Sequence, residues 1–324
     1  MTSPTALITR GDELDVLVVG GGLAGLGGAL MLSRARRSVL VVDAGHPRNE
    51  PAAHTHGYLT RDGAAPLELL RLGREEIRGY GNEIVTGEVT GIDRLSEGHF
   101  RVTLADGSSH LARRVLVTTG LVDELPDVPG LRERWGNDVV HCPYCFGWEI
   151  RDEPMGLLGG AAHSVGQALM WRQWTNDLTI LVPTGSTLSE EQREQLTARD
   201  IRIVEGDASG LDVVDDQLTG VRLESGEVVA LRVLIISPRF VARGGVLADL
   251  GVTTEPHPLG IGSQVLADPT GRTSEPGIWV AGNVTDVSAG IMQATASGVL
   301  AAAAINGDLV QDDTSLAVAA ARIR

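Results

Sequence analysis

With 324 residues, the chain is about twice the ~100–200 of a usual domain, and its 43% hydrophobic and 21% charged residues can fill two globular cores. All 27 basic residues are arginine and the net charge is −15, which excludes a P-loop lysine or a lysine Schiff base and argues against a nucleic-acid groove. Glycine is the outlier, with 41 residues in clusters that have no period, so collagen-like repeats are ruled out and close backbone approach is expected. Met1–Glu13 has no basic and apolar leader. Val16–Leu32 is uncharged but too glycine-rich and too short for a membrane helix. A cytoplasmic protein with neither membrane nor nucleic-acid partners is expected.

Asp15–Val19 is a short apolar run ending in Gly20-Gly-Gly-Leu-Ala-Gly25. A small apolar helix to about Ser33 follows, and then a second buried strand, Ser38–Val42, ends in Asp43. This is the strand–glycine turn–helix–strand–acid order of a dinucleotide-binding α/β unit. Gly20 allows the tight turn, Gly22 lets a pyrophosphate approach the helix N-terminus, and Gly25 permits close helix–strand packing. Asp43, 23 residues beyond Gly20, has the spacing of a ribose-binding acid.

The pattern starts again at Met155–Leu158, with Gly159-Gly-Ala161-Ala-His-Ser164, a helix through Trp174 and a strand at Leu178–Val182. Here the chemistry has decayed. Ala161 and Ser164 replace the second and third glycines, and Pro183-Thr-Gly185 offers neither an acid nor an arginine to a ribose. Arg172 and Arg193 lack the expected placement, so a working nicotinamide site is not expected. Gly277–Asn283 is a strand running into a small-residue turn, followed by an Ala/Gly-rich helix from about Ile291 to Asn306. The expected architecture is therefore two Rossmann-like domains in an α/β fold. The first is discontinuous (1–121 and 242–324), and the second is inserted over 122–241, between Pro126/Pro129-Gly130 and Pro238-Arg239-Phe240.

Cys142 and Cys145 are the only cysteines and form a C-x-x-C pair. A zinc site would need two more ligands, and only His141 is close, so no metal is expected. Such a pair cycles between dithiol and disulfide through a thiolate and a mixed disulfide. Six of the eleven aromatic residues, Trp135, Tyr144, Phe146, Trp148, Trp171 and Trp174, lie around and after it. Trp171 and Trp174 fit a helix core. Tyr144, Phe146 and Trp148 fit the wall of a pocket for a compact sulfur heterocycle.

Taken together, Gly20/Gly22/Gly25 with Asp43, Val115–Gly120, Pro129-Gly130, the cysteine pair, and Gly282-Asn283 followed by Gln293 resemble the low-molecular-weight thioredoxin reductase-like flavoproteins. The resemblance spans nearly the whole chain. It implies FAD in the first domain, with Asn49, His56, Val89, Gly120, Gly282, Asn283 and Gln293 joining the glycine turn and Asp43 as cofactor-binding residues. Asn283 stands where the family usually has an Asp, and Gln293 would lie at the pyrimidine edge of the flavin. The resemblance also implies a homodimer, and the small residues of the C-terminal helix would permit close approach of a second subunit.

Two departures point within the family. Phe146 replaces the acid that reductases carry after the second cysteine, and the second glycine motif is incomplete. The string His141-Cys-Pro-Tyr-Cys-Phe-Gly-Trp-Glu149, with Pro47-Arg-Asn49 and His54-Thr-His56-Gly57, resembles the branch of dithiol oxidases that close disulfides in natural products of the gliotoxin and holomycin kind, above all the bacterial dithiolopyrrolone-type enzymes. That resemblance implies electron flow from a small dithiol through Cys142, Cys145 and FAD to O2, with Cys145 next to the flavin. His141, His56 and Asp286 are the candidates for the missing base. Two other readings stay open: a reductase driven by NADPH or ferredoxin, and a flavin redox sensor or dithiol-sequestering protein without turnover.

Overall fold

The computed structural model describes residues 13–95, 98–160 and 163–323. The leader reading of Met1–Glu13 therefore falls almost wholly outside the described residues, and Ala161 lies outside them. Contacts divide the chain into two units, one of Met1–Arg48, Leu67–Val122 and Phe240–Arg324, the other of Asn49–Pro66 and Asp123–Arg239. The segment 49–66, which the sequence places within the first domain, thus groups with the second unit.

In the first unit, β1 (Glu13–Val19), α1 (Leu23–Arg34) and β2 (Val39–Asp43) are joined by α2 (Pro66–Gly79), β3 (Glu83–Thr86), β4 (Val89–Arg94), β5 (Phe100–Leu104) and β6 (Ser109–Val117). The sheet order is β3-β2-β1-β6-β5-β4, and strand Ile278–Val280 pairs parallel with the far end of β6. β1 lies parallel between β2 and β6. Both its faces are also covered, each by its own core cluster, which explains why it reads as an unbroken apolar run rather than an alternating one. Val16, Val18, Val39, Val41 and Leu116 face α1, α2 and the C-terminal helix. Their neighbours Leu17, Leu40, Val115 and Val117 face the layer of Ile92, Phe100 and Val102.

The second unit repeats this plan. Strands 202–205, 178–182, 155–158, 233–235 and 139–140 form a parallel sheet in that order. Leu157, Ile180 and Ile235 pack with Val165, Ala168 and Trp171 of helix Ser164–Trp171, whereas Leu181 and Leu234 pack with Leu218 and Val221 of an antiparallel three-stranded layer. That helix ends at Trp171, three residues short of the expected Trp174; the Trp174 N–H closes a tighter turn on the Trp171 carbonyl at 2.9 Å, and the Arg172 guanidinium donates forward to the Thr175 carbonyl at 3.0 Å.

The C-terminal helix runs Ile291–Ile323, not to Asn306. Asn306-Gly307 is a stop signal in local chemistry, but the next turns are held by ion pairs from two arginines of β6 and one of the turn before β2. Arg114 binds Asp308 at 2.6 Å, Arg113 binds Asp312 at 3.0 Å and Asp313 at 2.7 Å, and Arg37 binds Asp313 at 2.9 Å. Leu309 is fully buried in the same stretch. The small residues Gly298, Ala301 and Ala302 are buried within the unit, so they are not a surface for a second subunit.

Burial pushes the Asp313 carboxyl up, but Arg37 and Arg113 outweigh it and hold it below the usual carboxylate range. A carboxyl depressed in the folded state stabilises fully above its unfolded value of ~3.9 and loses that contribution as pH falls through the folded value. Amide exchange should therefore show residues 308–323 losing protection below about pH 4 while β1 and β6 keep theirs. Arg113→Ala should open the same segment at neutral pH, at a cost of about 1–3 kcal/mol.

Candidate functional site

The glycine turn between β1 and α1 divides its work among three positions. Gly20 has φ +102°, and a β-carbon there would lie 2.6 Å from the Thr118 carbonyl oxygen. Gly25 has no room either, since its β-carbon would stand 2.0 Å from the Gly20 carbonyl oxygen. Thr118 pins the turn by donating its hydroxyl to the carbonyls of Val19 and Gly20 at 3.0 and 2.9 Å. Gly22 differs. Its φ of −73° suits any residue, and a β-carbon there would meet no atom of the chain within 4 Å. α1 begins with neither a side-chain cap nor an acidic residue in its first turn. The turn thus presents a bare helix N-terminus with clear space before it, which suits a phosphate group.

Asp43, at the end of β2, accepts the Gly21 N–H at 3.1 Å and pairs with Arg74 of α2. Arg74 was not recognisable from sequence: it is one arginine among several on an amphipathic helix, and only the fold brings it to the acid. The residues of the turn, with Asp43, fit the adenosine diphosphate half of a flavin dinucleotide.

On the other side of α1, Gly282 approaches so closely that a β-carbon would stand 2.8 Å from that of Ala24. Asn283 follows, with its amide fully engaged. Its Nδ2 donates to the carbonyls of Asp286 and Ala289 at 3.0 and 2.9 Å, and its Oδ1 accepts from Arg48 at 3.3 Å. The Arg48 guanidinium also lies 5.2 Å from the centre of the Phe240 ring. Gln293 accepts the Gly290 N–H at 2.8 Å and stays exposed at the start of the C-terminal helix. Gly120, at φ +70°, accepts the Arg243 N–H at 2.9 Å, and Val89 is a core residue of β4. Asp286, one of the candidate bases, is occupied by the N–H and hydroxyl of Ser288 at 3.0 and 2.7 Å.

In the second unit, Cys142 and Cys145 form a disulfide, both partly exposed, around the short helix Pro143–Phe146 with Pro143 in its first turn. Gly147 must be glycine, because a β-carbon would lie 2.4 Å from the Pro143 carbonyl oxygen and 2.7 Å from the Trp174 Nε1. His141 stacks on Trp135 at 5.3 Å. Tyr144 and Trp148 are 75% and 67% exposed, whereas Phe146 turns inward against the core of Trp171. The three residues read as one pocket wall are therefore divided between surface and core.

Asn49 and His56 lie in the segment that belongs to this unit. The Asn49 carbonyl accepts the Ala52 N–H at 3.1 Å. His56 Nδ1 meets Asp62 at 3.4 Å, and its Nε2 meets Glu149 at 3.4 Å. Glu149 and Asp62 were not singled out from sequence, since a glutamate after a C-x-x-C and an aspartate in a polar loop have no signature of their own.

The crevice where this sheet changes direction, between strands 155–158 and 233–235, is where an open α/β sheet binds a nucleotide. Here His163 bonds Ser237 at 3.2 Å, and Ser237 donates to Gln167 at 2.7 Å. Arg172 is spent on the Arg199 carbonyl at 2.7 Å, and Arg193 on Glu205 at 2.8 Å. Neither arginine turns to this crevice.

The family model described as pyridine nucleotide-disulphide oxidoreductase matches residues 14–299. Thioredoxin reductase sirT of Leptosphaeria maculans is 30% identical over 312 residues, covering 90% of this chain and 93% of that one. The crystal structure of HlmI superposes with a TM-score of 0.90 at 44% identity, over 97% of this chain and 98% of that one. An oxidoreductase from Agrobacterium tumefaciens superposes with a TM-score of 0.85 at 33% identity, over 92% and 99%.

Two stability measurements check this geometry. Asn283→Asp should lower the melting temperature, because a carboxylate would lose both donated hydrogen bonds and face two carbonyl oxygens, a loss of about 1–3 kcal/mol. Gly25→Ala should cost about 1–3 kcal/mol or more through overpacking, while Gly22→Ala should melt like wild type.

Proposed function

The chain belongs to the pyridine nucleotide-disulphide oxidoreductase family, and from that premise we propose that it is an FAD-dependent dithiol oxidase, which closes an intramolecular disulfide in a small natural-product dithiol. The observation that carries this reading is a lone C-x-x-C disulfide in a unit whose nucleotide crevice is bridged by its own side chains. Such a unit is equipped to receive electrons at sulfur and poorly equipped to receive hydride from NADPH.

A substrate thiolate attacks the Cys142 sulfur, and Cys145 leaves as a thiolate. The second substrate thiolate then attacks the substrate sulfur of the mixed disulfide, which releases the cyclic product and the Cys142 thiolate. The chemistry FAD would supply here is that of a two-electron acceptor for the cysteine dithiol, with O2 as the final oxidant and hydrogen peroxide as its product. Gly20, Gly22, Gly25 and the N-terminus of α1 would hold its pyrophosphate, Asp43 its adenosine ribose, and Gly282, Asn283 and Gln293 its flavin half. Tyr144 and Trp148 offer exposed rings to a flat sulfur heterocycle.

Among the described residues, no helix is long and apolar enough to cross a membrane. A homodimer rests on the family resemblance alone, since Gly298, Ala301 and Ala302 of the C-terminal helix are buried within their own unit, and light scattering that shows a monomer at micromolar concentration would remove it.

One anaerobic experiment separates oxidase, reductase and non-turnover readings. Dithiothreitol should bleach the yellow protein rapidly, NADPH should not, and admitted oxygen should restore the colour with peroxide formed. Rapid stoichiometric bleaching by micromolar NADPH would make the protein a reductase, and failure of oxygen to restore the colour would leave a protein without turnover. Gly22→Val should fold but purify colourless, because its side chain fills the space before α1. Cys142→Ser and Cys145→Ser should each stay yellow and lose dithiol oxidation.

A further inference from the structure

The proposed reaction removes two protons from the substrate, and free thiols titrate near ~8.5, so a base is needed near neutral pH. Residue 146 cannot supply one: it is phenylalanine and faces the core. His141, beside Cys142, stacks its ring face on Trp135, a contact that leaves open the role of its ring nitrogens.

Glu149 lies one helical turn beyond Cys145. The helix Pro143–Phe146 continues through Gly147, whose N–H reaches the Pro143 carbonyl at 2.8 Å, and Ile150, whose N–H reaches that of Phe146 at 3.3 Å. Residues four apart on such a run share a face. Glu149 thus follows Cys145, the cysteine that leaves during substrate attack, by four residues in the turn that continues its helix, where its own N–H bonds the Phe146 carbonyl at 3.1 Å, and His56 Nε2 lies 3.4 Å from its carboxylate.

The segment that brings His56 there is well built. Thr55 and Ala64 bridge antiparallel, the Gly57 N–H donates to Asp62 at 2.8 Å, and His54 Nδ1 meets the Gly63 carbonyl at 3.1 Å. Asp62 is held below the usual carboxylate range, first by that Gly57 N–H and then by His56. The titratable groups facing His56 are thus Asp62 and Glu149 at its two nitrogens and the His54 ring, 6.3 Å away centre to centre.

We propose that His56 and Glu149 are the acid–base pair of the thiol–disulfide steps, a role that rests on the dithiol-oxidase reading. The pair takes the proton of each attacking substrate thiol, one at a time, so that sulfur attacks as thiolate. Each proton passes to water from the partly exposed Glu149 before the next is taken. The electrons stay with sulfur throughout: one S–S bond of the enzyme breaks, one S–S bond of the substrate forms, and two protons leave.

The test follows the enzyme disulfide rather than turnover. The full-length flavoprotein is mixed anaerobically with dithiothreitol between pH 6 and pH 10, quenched in acid, alkylated, and weighed to count opened cysteines. His56→Gln and Glu149→Gln should each open the Cys142–Cys145 disulfide at least about tenfold more slowly at pH 7, within the roughly thirtyfold that full deprotonation of a thiol titrating near ~8.5 could supply there. The deficit should shrink to within about twofold above the ~8.5 of a free thiol, where dithiothreitol supplies its own thiolate. Glu149→Asp, which keeps the carboxylate, should recover part of the rate at pH 7.

A deficit of equal size at every pH would overturn the proposal in favour of a structural tie. So would a wild-type rate in Glu149→Gln. A wild-type disulfide that dithiothreitol fails to open at any pH would instead sink the oxidase reading, and the acid–base pair with it.

Discussion

A β-carbon on Gly298 would stand 1.9 Å from the Ala24 carbonyl oxygen, and one on Gly28 would stand 3.1 Å from the Gly298 carbonyl oxygen. The C-terminal helix therefore packs on α1 backbone to backbone at Gly298, with Thr295 and Val299 laid over Gly27 beside that point. This contact lets a chain interrupted by a whole second unit return and finish the first. Close approach of the two backbones brings Gly282 against Ala24 and sets the 282–293 turn beside the glycine turn of residues 20–25. Any side chain at Gly298 would separate the helices and with them the two halves of the proposed flavin cradle. The arginines at 37, 113 and 114 extend the same contact by holding three further acidic positions of the helix.

Both units use one plan, a parallel sheet with helices on one face and an antiparallel layer on the other, yet the turn after the first strand has gone two ways. In the first unit, Gly22 leaves clear space before a bare helix end. In the second, His163, Ser237 and Gln167 satisfy one another across the corresponding crevice. Hydrogen-bonding capacity used within the protein is not offered to a ligand, and a phosphate would have to displace these contacts rather than settle on unpaired donors. The scaffold survives in both because its stability comes from buried strands, on which the chemistry of the turns has little bearing.

In the second unit, the residues flanking the cysteine pair divide between core and surface. Phe146, the residue after Cys145, joins the Trp171 cluster. A carboxylate and an imidazole are then presented from Glu149 and from a loop nearly a hundred residues earlier in the chain. Side chains at 144 and 148 face outward as exposed rings, and both cysteines are partly exposed.

Much of this was legible in the residues alone, because it is local. The apolar runs of β1 and β2, the glycine turn between them, the acid at 43 and the C-x-x-C spacing are all short-range patterns, and a buried parallel strand or a tight turn admits few alternatives. The end of the last helix was not legible. Asn306-Gly307 is a genuine local stop, overridden by arginines some two hundred to two hundred and seventy positions away. The pairing of Asp43 with Arg74, of Asn283 with Arg48 and of Glu149 with His56 likewise joins residues that no period or spacing connects. Charged side chains on amphipathic helices and polar loops look alike in sequence. Which of them becomes part of a site is decided only when the packing of strands and helices brings one carboxylate and one cation within reach, because a Coulomb or hydrogen-bond interaction depends on distance in space and not on distance along the chain.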